Sequence, residues 1–267
     1  MIDQDPITNI HDAIEAAASA AQKFQSEVWW RGHSKDKWVE KGVPKEWKLV
    51  PGVYRRENED PSIYEKSISV RFMSRAPSRH EKVPEVGQWD RWLVLMQHYG
   101  LPTRLLDWTE SVLKAIYFAV REHPDQNAVL WAMSPITLNQ IQIGDKVIAM
   151  PGNHEVAPLF CPPFIEGAKQ QERIVAFFPR ELDTRMLVQQ TLFTVHGSSL
   201  PIEGLEQHER FLMKWTIPSG AKENIDIELE RLGIIGSALF PDLEHLAKDI
   251  ASMNFLLPES DELPIEQ

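Results

Sequence analysis

The sequence predicts an α+β fold: a single domain with a mixed or antiparallel β-core flanked by helices. Three observations point there. The chain has 267 residues, 43% of them hydrophobic and 9% aromatic, which is enough to fill one sizeable core. Short aromatic or apolar runs of strand length, such as 28–34, 128–133 and 214–218, are interspersed with amphipathic stretches of helical spacing. There is also no internal repeat, phosphate-binding P-loop or GxGxxG fingerprint that would argue for a solenoid or a doubly wound sheet.

Composition narrows the function classes. Acidic residues number 39 against 28 basic ones, a net charge of -11, so nucleic acid or an anionic membrane is not expected to be bound through bulk charge. The single cysteine, Cys161, followed by Pro162 and Pro163, excludes an intramolecular disulfide and fits a reducing compartment. The N-terminus is acidic and amphipathic, unlike a signal peptide, and no apolar run approaches the roughly 20 residues of a membrane span. A cytoplasmic protein is expected.

Residues 1–27 supply an N-terminal helix over 7–24, capped by Thr8 or Asn9, with Ile10, Ile14, Ala17, Ala18 and Ala21 on one face. Residues 28–34 follow as a short aromatic strand ended by Gly32, with Arg31 at the sheet rim. Arg31 is either a strand-end charge or an anion fork, because guanidinium is planar and bidentate and Gly32 permits close backbone approach. Trp38 and Trp47 read as packing residues, and 49–55 as a second strand and turn. A helix over 60–72 begins with Asp60-Pro61-Ser62. The stretch 73–86 reads as a loop; with Arg71 just before it, Arg75, Arg79, His80 and Lys82 make the densest positive patch, either a solvated loop or a cover over a phosphate-bearing ligand.

The stretch Gln97–Val120 is the most crowded with polar groups. A helix over 89–98 is stopped by Gly100 and Pro102, and a second helix runs over 111–121. The turn between them holds His98, Arg104, Asp107 and Thr109. Singly, each has a structural reading: Asp107 as a helix cap, His98 bonded to the last carbonyls of its helix, Arg104 paired with Asp107. Together, four such side chains in apolar sequence mark a site.

Downstream, 128–133 is a strand and 135–163 reads as a loop, in which Asn153, His154 and Glu155 lack metal-ligand spacing, so no metal is expected. Segments 170–178, 184–196 and 214–218 read as strands, the second crossing a polar site. A helix over 221–232 ends at Gly233, 234–246 closes the fold, and 251–267 is an acidic, frayed tail.

These motifs resemble the FRG domain family. The match is carried by Trp30-Arg31-Gly32, the LVPGVYR run at 49–55, the block QHYGLPTRLLDWT at 97–109, the AIYFA helix, a Gln before the last strands and LFPDLEHLA near the C-terminus. It implies a domain over 28–250; where the family tends to have a glycine after that Gln, this chain has Thr191. A more distant resemblance is to arginine-type ADP-ribosyltransferases, in the order Trp30-Arg31-Gly32, Leu106-Asp107-Trp108-Thr109 leading into the helix with Ala115 and Phe118, then Gln189 on a late strand. That resemblance implies a split sheet, NAD as cofactor, Arg31, His98, Thr109 and Gln189 as catalytic residues, and Trp30, Arg31, Gly32, Arg104, Asp107 and Tyr117 as NAD contacts. It implies a toxin or effector in bacterial or phage conflict, with a macromolecular acceptor and an inhibitory partner protein. Because Gln189 stands where a catalytic Glu is expected and an amide cannot take a proton, a nucleotide-sensing module without turnover is an alternative, with Glu172 the nearest other carboxylate. A nuclease or hydrolase using His98, Arg104 and Asp107 as base, anion clamp and orienter is another.

Overall fold

Six antiparallel strands form one sheet, and their order brings the aromatic-Arg-Gly strand to its interior. The computed structural model describes residues 4–40, 43–55, 60–181 and 183–252. In chain order these form α1 (Ile10–Phe24), β1 (Trp29–His33), a separate hairpin of β2 (Lys37–Glu40) and β3 (Val43–Glu46), α2 (Pro61–Arg75), α3 (Trp89–His98), β4 (Leu105–Thr109) and α4 (Val112–Val120). They continue as β5 (Ala128–Met133), α5 (Pro135–Ile143), α6 (Ala157–Phe160), β6 (Ile174–Phe177), α7 (Thr184–Gln189), β7 (Thr191–His196), β8 (Leu212–Ile217), α8 (Lys222–Arg231), α9 (Gly236–Leu239) and α10 (Leu243–Ser252). The large sheet runs β6-β7-β4-β1-β5-β8, which makes the fold α+β as expected.

Pairing within this sheet is uneven. β1 is laddered to β5 from Trp29–Met133 to His33–Val129, and β4 to β7 from Leu105–Val195 to Thr109–Thr191. The middle join, β1 to β4, consists of one register pair, Trp30 with Thr109. Two three-stranded halves therefore meet at a single point and part beyond it. On one face Trp30, Leu130 and Trp215 pack beneath α1, α4 and α8; on the other, Trp29, Trp131, Leu106 and Trp108 form a second core. Alternation along each strand produces these two faces.

Several elements differ from expectation. Arg31 is not at a strand end or a sheet rim, because β1 runs on through Gly32 to His33 and lies between β4 and β5. In α1, capped by Asn9, the buried stripe is Ile10, Ala13, Ala16 and Ala20, and Ile14 is exposed. Of the strand and turn expected over 49–55, the turn is present as a 3-10 turn at 52–55 and the strand is not. The helix α2, capped by Asp60, continues to Arg75 and a 3-10 turn follows at 76–78, so the expected loop begins later. Residues 135–163 contain α5, which Ser134 caps with Pro135 in the first turn and Gly144 ends at φ +80°, and the short α6. The segment 184–196 is a helix followed by a strand: Asp183 caps α7, and Gln190, left-handed at φ 49°, turns the chain into β7. Asp107 and Thr109 lie on β4, and Ser111 caps α4. The helix α10 extends to Ser252; the rest of the acidic tail, 253–267, lies outside the described residues. Among the described residues no helix is long and apolar enough to cross a membrane.

Candidate functional site

Beyond the Trp30–Thr109 pair the ladder between β1 and β4 is absent, and the Arg31 side chain bridges the gap. Its Nη1 donates to the Asp107 carbonyl (2.6 Å) and lies 3.6 Å from the Asp107 carboxylate, while its Nε donates to His33 Nε2 (2.9 Å). Burial lowers the Arg31 pKa and Asp107 opposes that shift, so the group stays cationic. Asp107 is itself steered: Gln97 donates to its Oδ2 (2.9 Å), and the Thr103 hydroxyl donates to the Gln97 carboxamide oxygen (2.6 Å).

A cleft of about 330 Å³ opens where the strands part. Trp30, Arg31, Asp107, Trp108 and Thr109 line it from the sheet, Ala115 and Phe118 from α4, and Gln97, Arg185 and Gln189 from α3 and α7. Thr109 ties the walls together, its hydroxyl donating to the Gln189 carbonyl (2.8 Å) and accepting from Ser111 N. Gln189 ends α7 rather than lying on a strand, and its Nε2 donates to the Leu239 carbonyl (3.0 Å). Gly32 has a packing reason: a Cβ there would sit 1.9 Å from the Ala115 carbonyl oxygen, so α4 could not lie this close to β1. That contact by itself requires the glycine.

Residues 26–128 match the family model of the FRG domain. Over that segment the chain carries an FRG domain. No curated protein and no solved structure gives a significant match. The matched segment holds the sheet side of the cleft, Arg31, Asp107 and Thr109 with α4 behind them, whereas the wall from α7, with Arg185 and Gln189, comes from outside it.

Within this FRG domain several expected site residues are elsewhere. Arg104 does not pair with Asp107. It is 1% exposed and held by an equally buried Glu65 of α2: Nη2 donates to Oε2 (2.7 Å), Nε donates to both carboxylate oxygens, and the Arg104 backbone N–H donates to Oε1 (3.0 Å). Burial works against its charge, but Glu65 together with Tyr54 raises the pKa. His98 faces Asp183 at the start of α7 (2.9 Å); burial lowers its pKa and Asp183 opposes the shift. Tyr117 is buried in the core beneath α4, with Arg121 over its ring (4.8 Å), while Phe118 faces the cleft in its place. Arg71, Arg75, Arg79 and His80 line a different groove of about 470 Å³ beside Leu95 and Tyr99, so they do not cover the cleft. Sequence reasoning missed Gln97, Arg185 and Phe118; of these, Gln97 was legible as the first residue of the central block.

Proposed function

We propose that the cleft between β1 and β4 is a nucleotide site of ADP-ribosyltransferase-like type, with a NAD-class dinucleotide as ligand. The observation that carries this reading is the single-pair join of the sheet, with a guanidinium spanning the opening. A split sheet of this kind is what the distant resemblance implies, and Arg31 is the residue at its edge. The binding side fits such a ligand. Arg31 Nη2 takes no hydrogen bond among the described residues and is free to donate to a phosphate. The Asp107 side chain is 46% exposed and has capacity to accept from ribose hydroxyls, and Trp30 and Phe118 offer ring surfaces. The volume is at the lower end of the roughly 300–1,000 Å³ of small-molecule sites, which suits a mononucleotide-sized part of the ligand.

The catalytic side fits less well. Gln189 is an amide already engaged with a backbone carbonyl, and Glu172 is exposed ahead of the edge strand β6. Asp107 is the carboxylate that lines the cleft. This favours binding without turnover, a sensing role. Transfer or hydrolysis, as in a conflict toxin, is the second reading and rests on the order of motifs with Asp107 as the carboxylate. The hydrolase reading loses its anion clamp, since Arg104 is closed off by Glu65.

Titration of NAD against the tryptophan fluorescence of Trp30 and Trp108, with nicotinamide followed in parallel, tests this. Saturable quenching without nicotinamide release is expected, weakened about tenfold or more in Arg31→Ala, the effect of losing one charge-assisted hydrogen bond. Nicotinamide release would replace sensing by turnover. Absence of any NAD response would remove the nucleotide reading.

A further inference from the structure

On the face of the sheet opposite α4, Arg31 belongs to a cluster rich in donors. Trp29, Arg31 and His33 alternate onto that face, and Trp131 stands opposite Arg31 in the β1–β5 register. Arg55, the last residue of the LVPGVYR run, is held there by its Nε donating to the Val50 carbonyl (2.7 Å) and by stacking over Trp47 (4.9 Å). Trp47 in turn meets the His33 ring edge-on at 6.2 Å.

The hydrogen bond from Arg31 fixes the donor of His33. His33 Nε2 accepts from Arg31, so a neutral His33 carries its proton on Nδ1. The Thr194 hydroxyl accepts from Trp108 Nε1 and shares a 2.9 Å hydrogen bond with His196 Nε2 whose direction depends on the His196 tautomer. Three buried side-chain nitrogens, His33 Nδ1, His196 Nδ1 and the Trp131 indole Nε1, have no hydrogen-bond partner among the described residues. Trp131 Nε1 and His33 Nδ1 are N–H groups without an acceptor, and His196 Nδ1 becomes a third in the tautomer that carries its proton there. Both imidazoles are held neutral, His33 well below its ordinary value and His196 at about 3, by burial first and then by Arg31 and Arg55. Arg55 is pushed down to about 10 by burial and by Arg31, with Asp107 opposing. Buried donors and like charges in one place leave desolvation costs that an acceptor-rich anion offsets.

We propose that Arg31, Arg55, His33, Trp131 and His196 form an oxyanion site for a phosphate or pyrophosphate group, free or carried by a nucleotide. Arg55 is its second guanidinium, which gives the LVPGVYR run a binding role. Arg31 is shared with the cleft, so the nucleotide-borne form of the proposal rests on the nucleotide reading, whereas the free anion does not.

The test is calorimetric titration of inorganic phosphate, inorganic pyrophosphate and NAD into the full chain in a buffer free of oxyanions, with melting temperatures alongside. Arg55→Gln is expected to weaken pyrophosphate or phosphate at least about tenfold, and Trp131→Phe, which removes one donor and little volume, a few-fold. Trp131→Phe should not lower the melting temperature without anion, because deleting an unpaired buried donor removes a cost. Binding of NAD alone, weakened by Arg55→Gln, supports the site with the nucleotide as the source of the phosphate. The proposal is overturned if no ligand binds in an Arg55-dependent way, or if Trp131→Phe lowers the anion-free melting temperature, as loss of a bridging water would. NAD binding that depends on Arg31 but not on Arg55 overturns this site and leaves the nucleotide reading intact; pyrophosphate binding without NAD binding does the reverse.

Discussion

Two arginine–carboxylate pairs are set by the same strand, β4, and they are built in opposite ways. Arg104, just before β4, is paired with Glu65 at 2.7 Å, both partners are 1% exposed, and further bonds to the Leu159 carbonyl and the Arg104 backbone complete the pair. Arg31 lies 3.6 Å from Asp107, whose side chain is 46% exposed and also accepts from Gln97. A closed pair with every bond made internally has nothing left to offer a ligand; it joins α2 to the sheet. An open pair with a free guanidinium edge, beside a gap in the ladder, stays available. The same two residue types thus serve structure in one place and recognition in the other.

The sharpest way to break the closed pair is Glu65→Ala, which strands a buried guanidinium; a loss of about 3–5 kcal/mol is expected by urea denaturation. The double variant Glu65→Leu with Arg104→Met should recover much of that, since both charges leave together. The open pair rests on the close contact of α4 with β1. Gly32→Ala places a methyl against the Ala115 carbonyl and is expected to cost about 1–3 kcal/mol or more, with weakened ligand binding as α4 shifts away from the cleft.

A smaller effect comes from His196, fully buried beside the donor cluster. Its folded pKa of about 3 lies below the ordinary 6.5, so its contribution to stability is intact above pH 6.5 and is lost as the pH falls from there towards 3. Denaturation curves across that range should show stability declining with acid, less steeply in His196→Phe. An unchanged slope in that variant would show that His196 is not held neutral.

The sequence made α3, β5 and the extent of α4 legible, because Gly–Pro punctuation and apolar runs are local signals, but β4 inside the central block reads as a turn and its Asp107 as a cap. It did not make Glu65 legible as the partner of Arg104, since 39 residues separate them and only packing of α2 on the sheet brings them together. Alternation in MLVQQTLFTV read as one strand; the break at Gln190 comes from a left-handed turn that a non-glycine residue gives no sign of. Arg31 was expected at a rim because Gly32 follows it, yet that glycine is explained by Ala115, on a helix far along the chain. Likewise Tyr117 and Phe118 are adjacent, and only the docked orientation of α4 decides which one meets the cleft.

The contrast between the pairs is tested most directly by melting wild type, Arg31→Met and Arg104→Met with and without NAD. Arg31→Met is expected to melt close to wild type and to show no rise with NAD, while Arg104→Met, which leaves Glu65 buried and unpaired, melts far lower. An Arg31→Met protein that keeps the full NAD-induced rise would contradict the account.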